Sequence, residues 1–303
     1  MPVDPASVSV VVTTYQRPEA LAAVLAGLSG QDAAGFEVLV ADDGSDERTA
    51  AVVASVRAAP GAMRCVRHVR HPDRGFRAGH VRNRAVSAAG GDYVLFLDGD
   101  CVPRAGFVRA HARAAATGWM ARGSRVLLSR DATSRALAPA TPREPPLHRR
   151  SVLAWTAARR RGDVNRLLPL LPAWCLPLSG LLSTRGSGNW RSVRTCNLAV
   201  WRRDLEAANG FDERYVGWGY EDSDLAIRLL NHGVRIRRAP PATTVLHLWH
   251  AEHDRRFEGE NLARLRATER SGCVAAPRGM REGAAEEGPE TTIDGGAFAE
   301  HRR

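Results

Sequence analysis

The amino-acid sequence predicts an α/β protein in which a mixed, mainly parallel sheet is flanked by helices. Over about the first 130 residues, strand-forming runs alternate with helical patterns of roughly ten to fifteen residues, which is typical of β–α–β units. Polar residues follow three of the predicted strands, at Tyr15, at Asp42 and Asp43, and at Asp98 and Asp100. Because ligands of such folds bind beyond the carboxyl ends of the strands, these positions predict a functional site at one sheet edge.

The first two pairs of strand and helix have clear boundary signals. The apolar run Ser7–Tyr15 predicts a buried strand, and Pro18 then opens a helix, since proline suits the first helical turn. The segment FEVLVADDGSD predicts a second strand that ends in two aspartates, and a helix is expected from about Asp46 to Ala58. Either Ser45 or Asp46 is expected to cap this helix through its side-chain oxygen.

The alternation continues up to about residue 130 and then weakens. MRCVRHVR predicts a strand, AGHVRNRAVSAAGG predicts a helix closed by glycines, and YVLFLDGD predicts the next strand. Between residues 131 and 190, prolines, arginines and short apolar runs predict a loop-rich insertion with a helix around Val152–Arg161.

Regular structure is expected again after residue 190. RTCNLAVW predicts a strand, a helix is expected at about Glu221–Asn231 with Gly233 near its C-terminal cap, and TTVLHLWH predicts a last strand. From residue 271 to 303, Gly, Glu, Ala and Pro occur without periodicity, which predicts a disordered tail. Residues 1–270 are therefore expected to form a single domain.

Composition narrows the classes of protein that this chain can be. The 303 residues carry a formal net charge of +10, and every basic residue outside histidine is arginine. This excess indicates an acidic partner such as a phosphate, an anionic lipid or a nucleic acid, or else only the base composition of the genome. The five cysteines are odd in number and never form a CxxC pair, which argues against a disulfide framework or a structural zinc site. We expect a cytoplasmic protein without a secretory signal.

The triplet Asp98-Gly99-Asp100 ends the fourth predicted strand with two carboxylates. Two ionised carboxylates at short range repel each other, so a positive group is expected beside them. A divalent cation with oxygen ligands suits this pattern, although Asp and Gly also favour ordinary turns. Asp43, at the end of an earlier strand, is in turn placed to accept hydrogen bonds from a nucleotide.

Arginines cluster near the start of the third predicted helix. GFRAGHVRNRAV places Arg77, Arg82 and Asn83 there, and a helix N-terminus with guanidinium groups beside it is suited to a diphosphate. The alternative is a solvated basic face. The segment GWGYEDSDL sets Trp218 between two glycines, where its flat ring is suited to sugar packing.

Taken in order, four segments resemble the family 2 inverting glycosyltransferases of the GT-A fold. They are VVTTYQRPEAL, VLVADDGSD, RNRAVSAAGGDYVLFLDGD and GFDERYVGWGYEDSDLAIRL. The carboxyl half is similar to the galactosyltransferase-type region shared by bacterial chondroitin polymerases and β-1,4-galactosyltransferases. The resemblance covers about residues 7–126 and 193–250, and the middle segment has no counterpart in it.

The resemblance implies roles for the strand-end residues. The DGD triplet matches the DxD motif, so Asp100 is implied as a ligand of Mn²⁺ or Mg²⁺, and Asp98 as a contact of the nucleotide ribose or the metal. Asp43 matches the carboxylate that reads the uracil base, with Thr14 and Tyr15 beside it. These residues and the arginine cluster are thus expected to form the nucleotide-binding half, residues 1–130.

In the segment WGYED, Trp218 and Gly219 match sugar contacts, Asp222 matches the catalytic base, and Glu221 is left to bind substrate. Asp224 competes for the base role but lies two positions further along the predicted helix. Tyr220 stands where the galactosyltransferases carry glycine, so their donor preference does not carry over.

His247 matches the metal-ligating histidine of the similar families, and His250 is the alternative ligand. A spacing of three along a strand puts the two side chains on opposite faces, so we expect only one of them to reach the ion.

The resemblance implies an inverting, metal-dependent transferase that moves a sugar from a UDP-sugar to a glycan or lipid-linked acceptor in cell-surface polysaccharide synthesis. Residues 131–190 are then a variable insertion, and residues 191–270 the acceptor and catalytic half. The apolar run Leu167–Leu182, with arginines around it, is expected to contact the anionic inner face of the cell membrane.

Two other classes of protein share some of these sequence features. A metal-dependent nucleotidyltransferase or nuclease would also use strand-end aspartates, but would need neither Trp218 between glycines nor the later histidine. A nucleic-acid-binding role is not expected, because the chain lacks an interleaved aromatic and basic surface and a recognisable reading helix.

Overall fold

A computed structural model describes residues 2–138, 151–171, 189–252, 254–282 and 292–294 of the chain. The helices in this part of the chain are α1 (Pro18–Ser29), α2 (Glu47–Ala58), α3 (Ala78–Ala88), α4 (Phe107–Ala114), α5 (Arg130–Leu137), α6 (Val152–Arg160), α7 (Arg202–Ala207), α8 (Glu221–Asn231) and α9 (Glu258–Ser271). The strands are β1 (Val8–Thr14), β2 (Glu37–Asp42), β3 (Cys65–Arg70), β4 (Tyr93–Asp98), β5 (Cys101–Pro103), β6 (Trp119–Arg122), β7 (Arg125–Leu127), β8 (Asn197–Trp201), β9 (Arg235–Arg238), β10 (Val245–His247) and β11 (Thr292–Asp294).

The central sheet is mixed and mainly parallel, as the sequence predicts. Within the described residues it has eight strands in the order β11-β3-β2-β1-β4-β8-β6-β9. Strands β3, β2, β1 and β4 pair in parallel, whereas β8 is antiparallel to both β4 and β6. The parallel strands therefore end at one edge, where Thr14, Asp42 and Asp98 close β1, β2 and β4.

Both faces of the sheet are covered, because successive residues of the central strands, which point to opposite faces, are apolar. Val10 and Val12 pack on one face with Leu21 of α1, and Val11 packs on the other with Val81 of α3. A strand that is buried on both faces reads as a continuous apolar run, which explains the sequence SVSVVV.

A small second sheet extends the site edge. Strand β10 pairs antiparallel with β5 and parallel with β7, which places His247 directly opposite Cys101. Since only Gly99 and Asp100 separate the end of β4 from the start of β5, this pairing brings the end of β10 next to the DGD triplet. The later histidine and the earlier aspartates thus meet through backbone pairing.

The tail prediction is wrong for the described residues beyond 271. The Ala276 N–H donates to the Ala208 carbonyl at 2.9 Å, and Asn209 Nδ2 donates to the Ala276 carbonyl at 2.9 Å and to Glu282 Oε2 at 2.7 Å. Residues 292–294 form β11 at the edge of the sheet, antiparallel to β3. Composition does not predict this docking, because the docking depends on a few specific hydrogen bonds. Residues 283–291 and 295–303 of the predicted tail lie outside the described part of the chain.

Helix α9 was not predicted, although its sequence carries a pattern. Its buried residues Asn261, Leu265 and Thr268 recur at helical spacing, and Gly272 follows with a φ of +63°. The predicted helix around residues 152–161 is present as α6. Part of the apolar run, residues 172–182, lies outside the described residues, so its contact with a membrane stays a prediction.

In the described part of the chain, no helix combines the length and the apolar character needed to cross a bilayer.

We predict that Asn209→Ala lowers the free energy of unfolding by about 2–4 kcal/mol, measured by urea denaturation. Asn209 has a φ of +56° and is buried, so alanine there adds backbone strain and leaves the Ala276 carbonyl without its donor. Asn231→Ala is the matched control, because its exposed amide bonds the Cys273 carbonyl, and we expect a change within about 0.5 kcal/mol. Equal losses in the two variants would show that the segment after α9 is not docked as described.

Candidate functional site

A single open cleft of about 1310 Å³ lies at the carboxyl edge of the parallel strands. It brings together residues that are far apart in sequence. The predicted residues that line it are Thr14, Tyr15, Asp43, Arg82, Asp98, Asp100, Trp218, Gly219, Glu221, Asp222 and His247. Most of the residues that the sequence singled out therefore do share one site.

Arg82 supplies the positive charge expected between the acidic groups. Its Nη2 donates to Asp98 Oδ1 at 3.3 Å, its Nη1 to Glu221 Oε1 at 3.0 Å, and its Nε to Thr13 Oγ1 at 2.9 Å. The guanidinium is buried and joins the ends of β1 and β4 to the start of α8. That Arg82 binds a diphosphate stays a prediction, because these hydrogen bonds use three of the five N–H donors of its guanidinium group, and Arg82 lines the cleft.

Two carboxyl groups near the Arg82 guanidinium, those of Asp98 and Asp222, have a raised pKa. Burial raises the pKa of Asp98 to about 6, with Arg82 opposing the rise and Asp100 and Glu221 adding to it. Burial likewise raises the pKa of Asp222 to about 6; Glu221 adds to this rise, and Arg194 and Arg82 oppose it. A carboxylate with a raised pKa holds a proton more readily near neutral pH.

Asp100, His247 and His250 bring ligand atoms within 4.8 Å of one another. The Nε2 atoms of His247 and His250 each lie 3.6 Å from a carboxylate oxygen of Asp100. Arg17 Nη1 also donates to Asp100 Oδ2 at 2.7 Å, so this carboxylate is ion-paired in the structure. The arrangement joins one carboxylate and two imidazoles, a donor set suited to a divalent transition metal.

The prediction that His247 and His250 face opposite ways is wrong. Strand β10 ends at His247, so the alternation of side chains along a strand does not extend to His250. The two rings are in edge contact, with their centroids 5.2 Å apart. Burial lowers the pKa of His247 to about 4, with Asp100 opposing the shift, so its imidazole is neutral at physiological pH.

The other end of the cleft contains a buried polar atom that has no hydrogen-bond partner among the described residues, Thr14 Oγ1. Asp43 beside it is engaged: its Oδ1 lies 3.0 Å from His71 Nε2, and its Oδ2 accepts from the backbone N–H of Arg77 at 2.8 Å. The Tyr15 hydroxyl donates to Asp73 Oδ2 at 2.9 Å. Buried polar atoms in proteins are nearly always hydrogen-bonded, so Thr14 Oγ1 indicates a ligand position.

Two of the residues predicted to bind phosphate do not line the cleft. Asn83 is fully buried, and its amide exchanges hydrogen bonds with the backbone of Phe211 and donates to Glu213 Oε1 at 2.8 Å. Arg77 Nη2 donates to His71 Nδ1 at 2.7 Å. Both predictions are corrected: consecutive side chains on a helix point about 100° apart, so Arg82 faces the cleft while Asn83 faces the protein.

The turn before α8 has an unusual backbone. Gly217, Gly219 and Tyr220 have φ values of +75°, +113° and +74°. A Cβ on Gly217 would lie 2.5 Å from the Phe257 ring, so this position requires glycine. At Tyr220 a non-glycine residue takes a conformation that glycine adopts more readily, which accounts physically for glycine at the matching position in the similar families.

The acidic residues at the start of α8 have different surroundings. Asp224 is fully buried; its Oδ2 accepts from Arg228 Nε at 2.8 Å, and its Oδ1 accepts from the hydroxyls of Thr268 and Tyr215 at 2.7 and 3.3 Å. Asp224 is therefore excluded as a base that acts on a substrate. Glu221 and Asp222 line the cleft, and of the two Glu221 is engaged by Arg82.

Sequence reasoning missed several residues that line the cleft. They are Arg17, Arg125, Trp190, Arg191, Arg194, Trp249, Arg255 and Arg266. Arg17 directly follows VVTTYQ at the end of β1, a position that could have suggested a role. The others come from segments whose position at the cleft depends on tertiary packing, and no local pattern marks them.

Comparison with known families agrees with this geometry. Residues 9–152 match the glycosyl transferase family 2 profile, and residues 181–254 match a profile described as the N-terminal domain of galactosyltransferase. The first match contains the DGD triplet, and the second contains the WGYED segment and both histidines.

Two similar proteins are enzymes that act on sugars. Validoxylamine A glucosyltransferase from Streptomyces hygroscopicus subsp. jinggangensis is 31% identical over 264 residues, which cover 82% of this chain and 56% of that protein. Chondroitin synthase from Escherichia coli is 26% identical over 248 residues, which cover 76% of this chain and 33% of that protein. The chain thus spans about half the length of the first relative and a third of the second.

The structure is also similar to that of TarS from S. aureus. The TM-score is 0.54 at 17% identity, and the match covers 86% of this chain and 39% of TarS. This likeness concerns the fold alone, and with the mixed sheet described above it confirms the predicted GT-A fold.

We predict different stability effects for substitutions at Asp224 and Asp222 of α8. Asp224→Ala should lower the free energy of unfolding by about 3–5 kcal/mol, because it leaves the buried Arg228 without its counter-charge. Asp222→Asn should not destabilise the protein.

The pH dependence of Asp222→Asn provides the check, measured by urea unfolding without metal. The folded-state pKa of Asp222 is raised from 3.8 to about 6, so ionising this group costs the wild type stability as the pH rises through that window. The stability of Asp222→Asn relative to wild type should therefore increase between about pH 4 and pH 6. A constant difference across this window would contradict the burial of the Asp222 carboxylate.

Proposed function

Because the chain belongs to glycosyltransferase family 2, we propose that it transfers a sugar from a nucleotide diphospho-sugar to an acceptor hydroxyl in this cleft, with inversion. One observation carries the proposal: Asp43, Asp98, Asp100, Asp222 and His247 line the same cleft. The acceptor is proposed to be a glycan or a lipid-linked sugar used in building a cell-surface polysaccharide.

The nucleotide is proposed to bind at the ends of β1 and β2. Thr14, Tyr15 and Asp43 line the cleft there, and Thr14 Oγ1 is buried without a hydrogen-bond partner in the described part of the chain, whereas Asp43 Oδ1 lies 3.0 Å from His71 Nε2. A carboxylate oxygen accepts hydrogen bonds, and the N3–H of uracil is a donor of the required kind. The exposed ring of Tyr15 lies beside this position and offers a face for the base, so UDP is the proposed nucleotide.

A divalent metal, Mn²⁺ or Mg²⁺, is proposed to be held by Asp100 together with His247 and His250. The fit rests on the cluster of three ligand atoms and on the neutral state of His247, because imidazole binds metal in its unprotonated form. Imidazole ligands favour Mn²⁺ over Mg²⁺. Arg17, which pairs with one oxygen of Asp100, would have to share or release that oxygen. When bound, the ion would stabilise the negative charge on the departing nucleotide.

Asp222 is proposed to act as the general base. Its carboxylate removes the proton from the acceptor hydroxyl, whose oxygen forms a bond to the anomeric carbon while the bond to the nucleotide diphosphate breaks. The pKa of about 6 suits this role, since a base is most effective when its pKa lies near the working pH. Glu221 is paired with Arg82 and is proposed to position a substrate hydroxyl.

We predict that UDP raises the melting temperature of the wild type only together with Mn²⁺, and that Asp100→Ala and His247→Ala each abolish this shift. A ligand that binds only the folded state stabilises it, and both variants remove atoms of the ligand cluster. His232→Ala, which changes an exposed histidine at the end of α8, should retain the full shift. Wild-type protein without any response to nucleotides would contradict the proposed function, and a normal shift in Asp100→Ala would contradict the metal assignment.

We also predict that Asp222→Asn lowers the turnover of a UDP-sugar by about 10²-fold or more while retaining the Mn²⁺–UDP thermal shift. Turnover is measured as release of UDP, by transfer or by slow hydrolysis. The matched control is Asp254→Asn, an exposed carboxylate paired with Arg256, which should retain wild-type turnover. Full turnover in Asp222→Asn would move the base role to Glu221, since Asp224 is buried and engaged.

A further inference from the structure

We propose that the acceptor is anionic, and that Arg194 and Arg266 bind a carboxylate or phosphate group on it near the hydroxyl that is glycosylated. This inference rests on the proposed function and specifies the substrate class of the same cleft. It concerns two arginines that neither the sequence patterns nor the family resemblance assigned.

Arg194 lies near the proposed catalytic base and Arg266 near the Tyr220 phenol, although the two arginines come from different parts of the chain. Arg194 precedes β8, Arg266 is on α9, and both side chains line the cleft. Arg194 acts electrostatically on Asp222, and Arg266 acts on the Tyr220 phenol, two residues earlier in the chain. The two guanidinium groups therefore place positive charge on the part of the cleft that Asp222 faces.

Two further arginines in this half of the cleft, Arg191 and Arg255, already have counter-charges. Arg191 lies 3.7 Å from Glu269, and Arg255 lies 3.4 Å from Glu252. At the donor end, Arg17 and Arg82 are paired with the carboxylates described above. Pairing of this kind leaves little net charge to attract an anionic ligand.

Arg194 and Arg266 differ from these paired arginines. In the ranges that the structure describes, neither has a carboxylate oxygen within the 4.0 Å that defines an ion pair. Arg194 Nη1 donates to the backbone carbonyls of Arg191 and Val193, at 3.0 and 2.5 Å, and its charge acts on the Asp222 carboxyl without forming an ion pair among the described residues. Two guanidinium groups without an ion-pair partner in one cleft are suited to a carboxylate or a phosphate, because the planar fork of donors matches either group.

The same half of the cleft has apolar surface for the rest of an acceptor. Trp190 and Trp218 line it, with Arg191 and Arg255 stacked over their rings at 4.2 and 4.7 Å from the centroids. At about 1310 Å³ the cleft exceeds the roughly 300–1,000 Å³ usual for one small ligand, so a second substrate fits beside the donor. Aromatic faces and arginines without ion-pair partners in one cleft suit a sugar that carries an acidic group.

The experiment measures binding of three probes to protein saturated with Mn²⁺ and UDP. The probes are phenyl β-glucuronide, phenyl β-glucoside, which carries a neutral hydroxymethyl group in place of the carboxylate, and glucose linked through a diphosphate to a short prenol. We expect at least one anionic probe to bind about tenfold more tightly than the neutral glucoside. Preference for the glucuronide indicates an acidic glycan, and preference for the prenol-linked sugar indicates a lipid diphosphate.

Arg194→Gln and Arg266→Gln should each remove most of this preference, and the affinity for Mn²⁺–UDP should stay within about twofold of wild type. Arg270→Gln is the matched control, because Arg270 lies one turn from Arg266 on α9 but outside the cleft, and it should retain the preference. Equal binding of charged and neutral probes by wild type, or no binding of either anionic probe, would overturn the proposal. Loss of UDP affinity with the preference intact would reassign the two arginines to the donor diphosphate.

These outcomes are distinct from a failure of the proposed function. If the wild type does not bind Mn²⁺–UDP at all, the proposed function fails before any probe is added. If it binds Mn²⁺–UDP and hydrolyses the UDP-sugar but shows no preference for anionic probes, only the inference about the acceptor fails.

Discussion

The site depends on the buried guanidinium of Arg82, which links Asp98 at the end of β4 to Glu221 at the start of α8. Without a cation there, the acidic groups from these two elements would repel one another. The same side chain donates to Thr13, so it also ties the end of β1 into the arrangement. One arginine thus joins the half of the protein proposed to bind the donor to the half proposed to carry the catalytic base.

A second constraint is the backbone pairing of β10 with β5, which sets His247 opposite Cys101 and so next to Asp100. Because ladder hydrogen bonds fix this register, the proposed metal ligands are held close together before any ion binds. Helix α9 also lines the cleft. The Thr268 hydroxyl on α9 donates to Asp224 on α8, and this contact holds Leu265 and Arg266 at the cleft. The cleft is therefore built largely before ligands arrive, a form of preorganisation that lowers the cost of binding.

The sequence predicted the parallel strands and the residues at their ends, because burial on both faces leaves a continuous apolar run and the DGD triplet marks where it stops. It failed where the outcome depended on tertiary contacts. Asn83 and Arg82 are neighbours in one motif, yet their side chains point in directions about 100° apart on the helix and have different partners. His250 reaches Asp100 only because β10 ends earlier than its sequence suggests, and the docking of residues 272–282 depends on single hydrogen bonds to partners such as Asn209.

The central claim is that this cleft holds a metal and a nucleotide at the DGD triplet. The most direct test is anomalous diffraction at the manganese edge from crystals grown with Mn²⁺ and UDP. The account predicts a peak bonded to Asp100 and to at least one of His247 and His250, with the uracil ring against Asp43 and Tyr15. A manganese peak remote from Asp100, or a uracil bound away from the ends of β1 and β2, would contradict it.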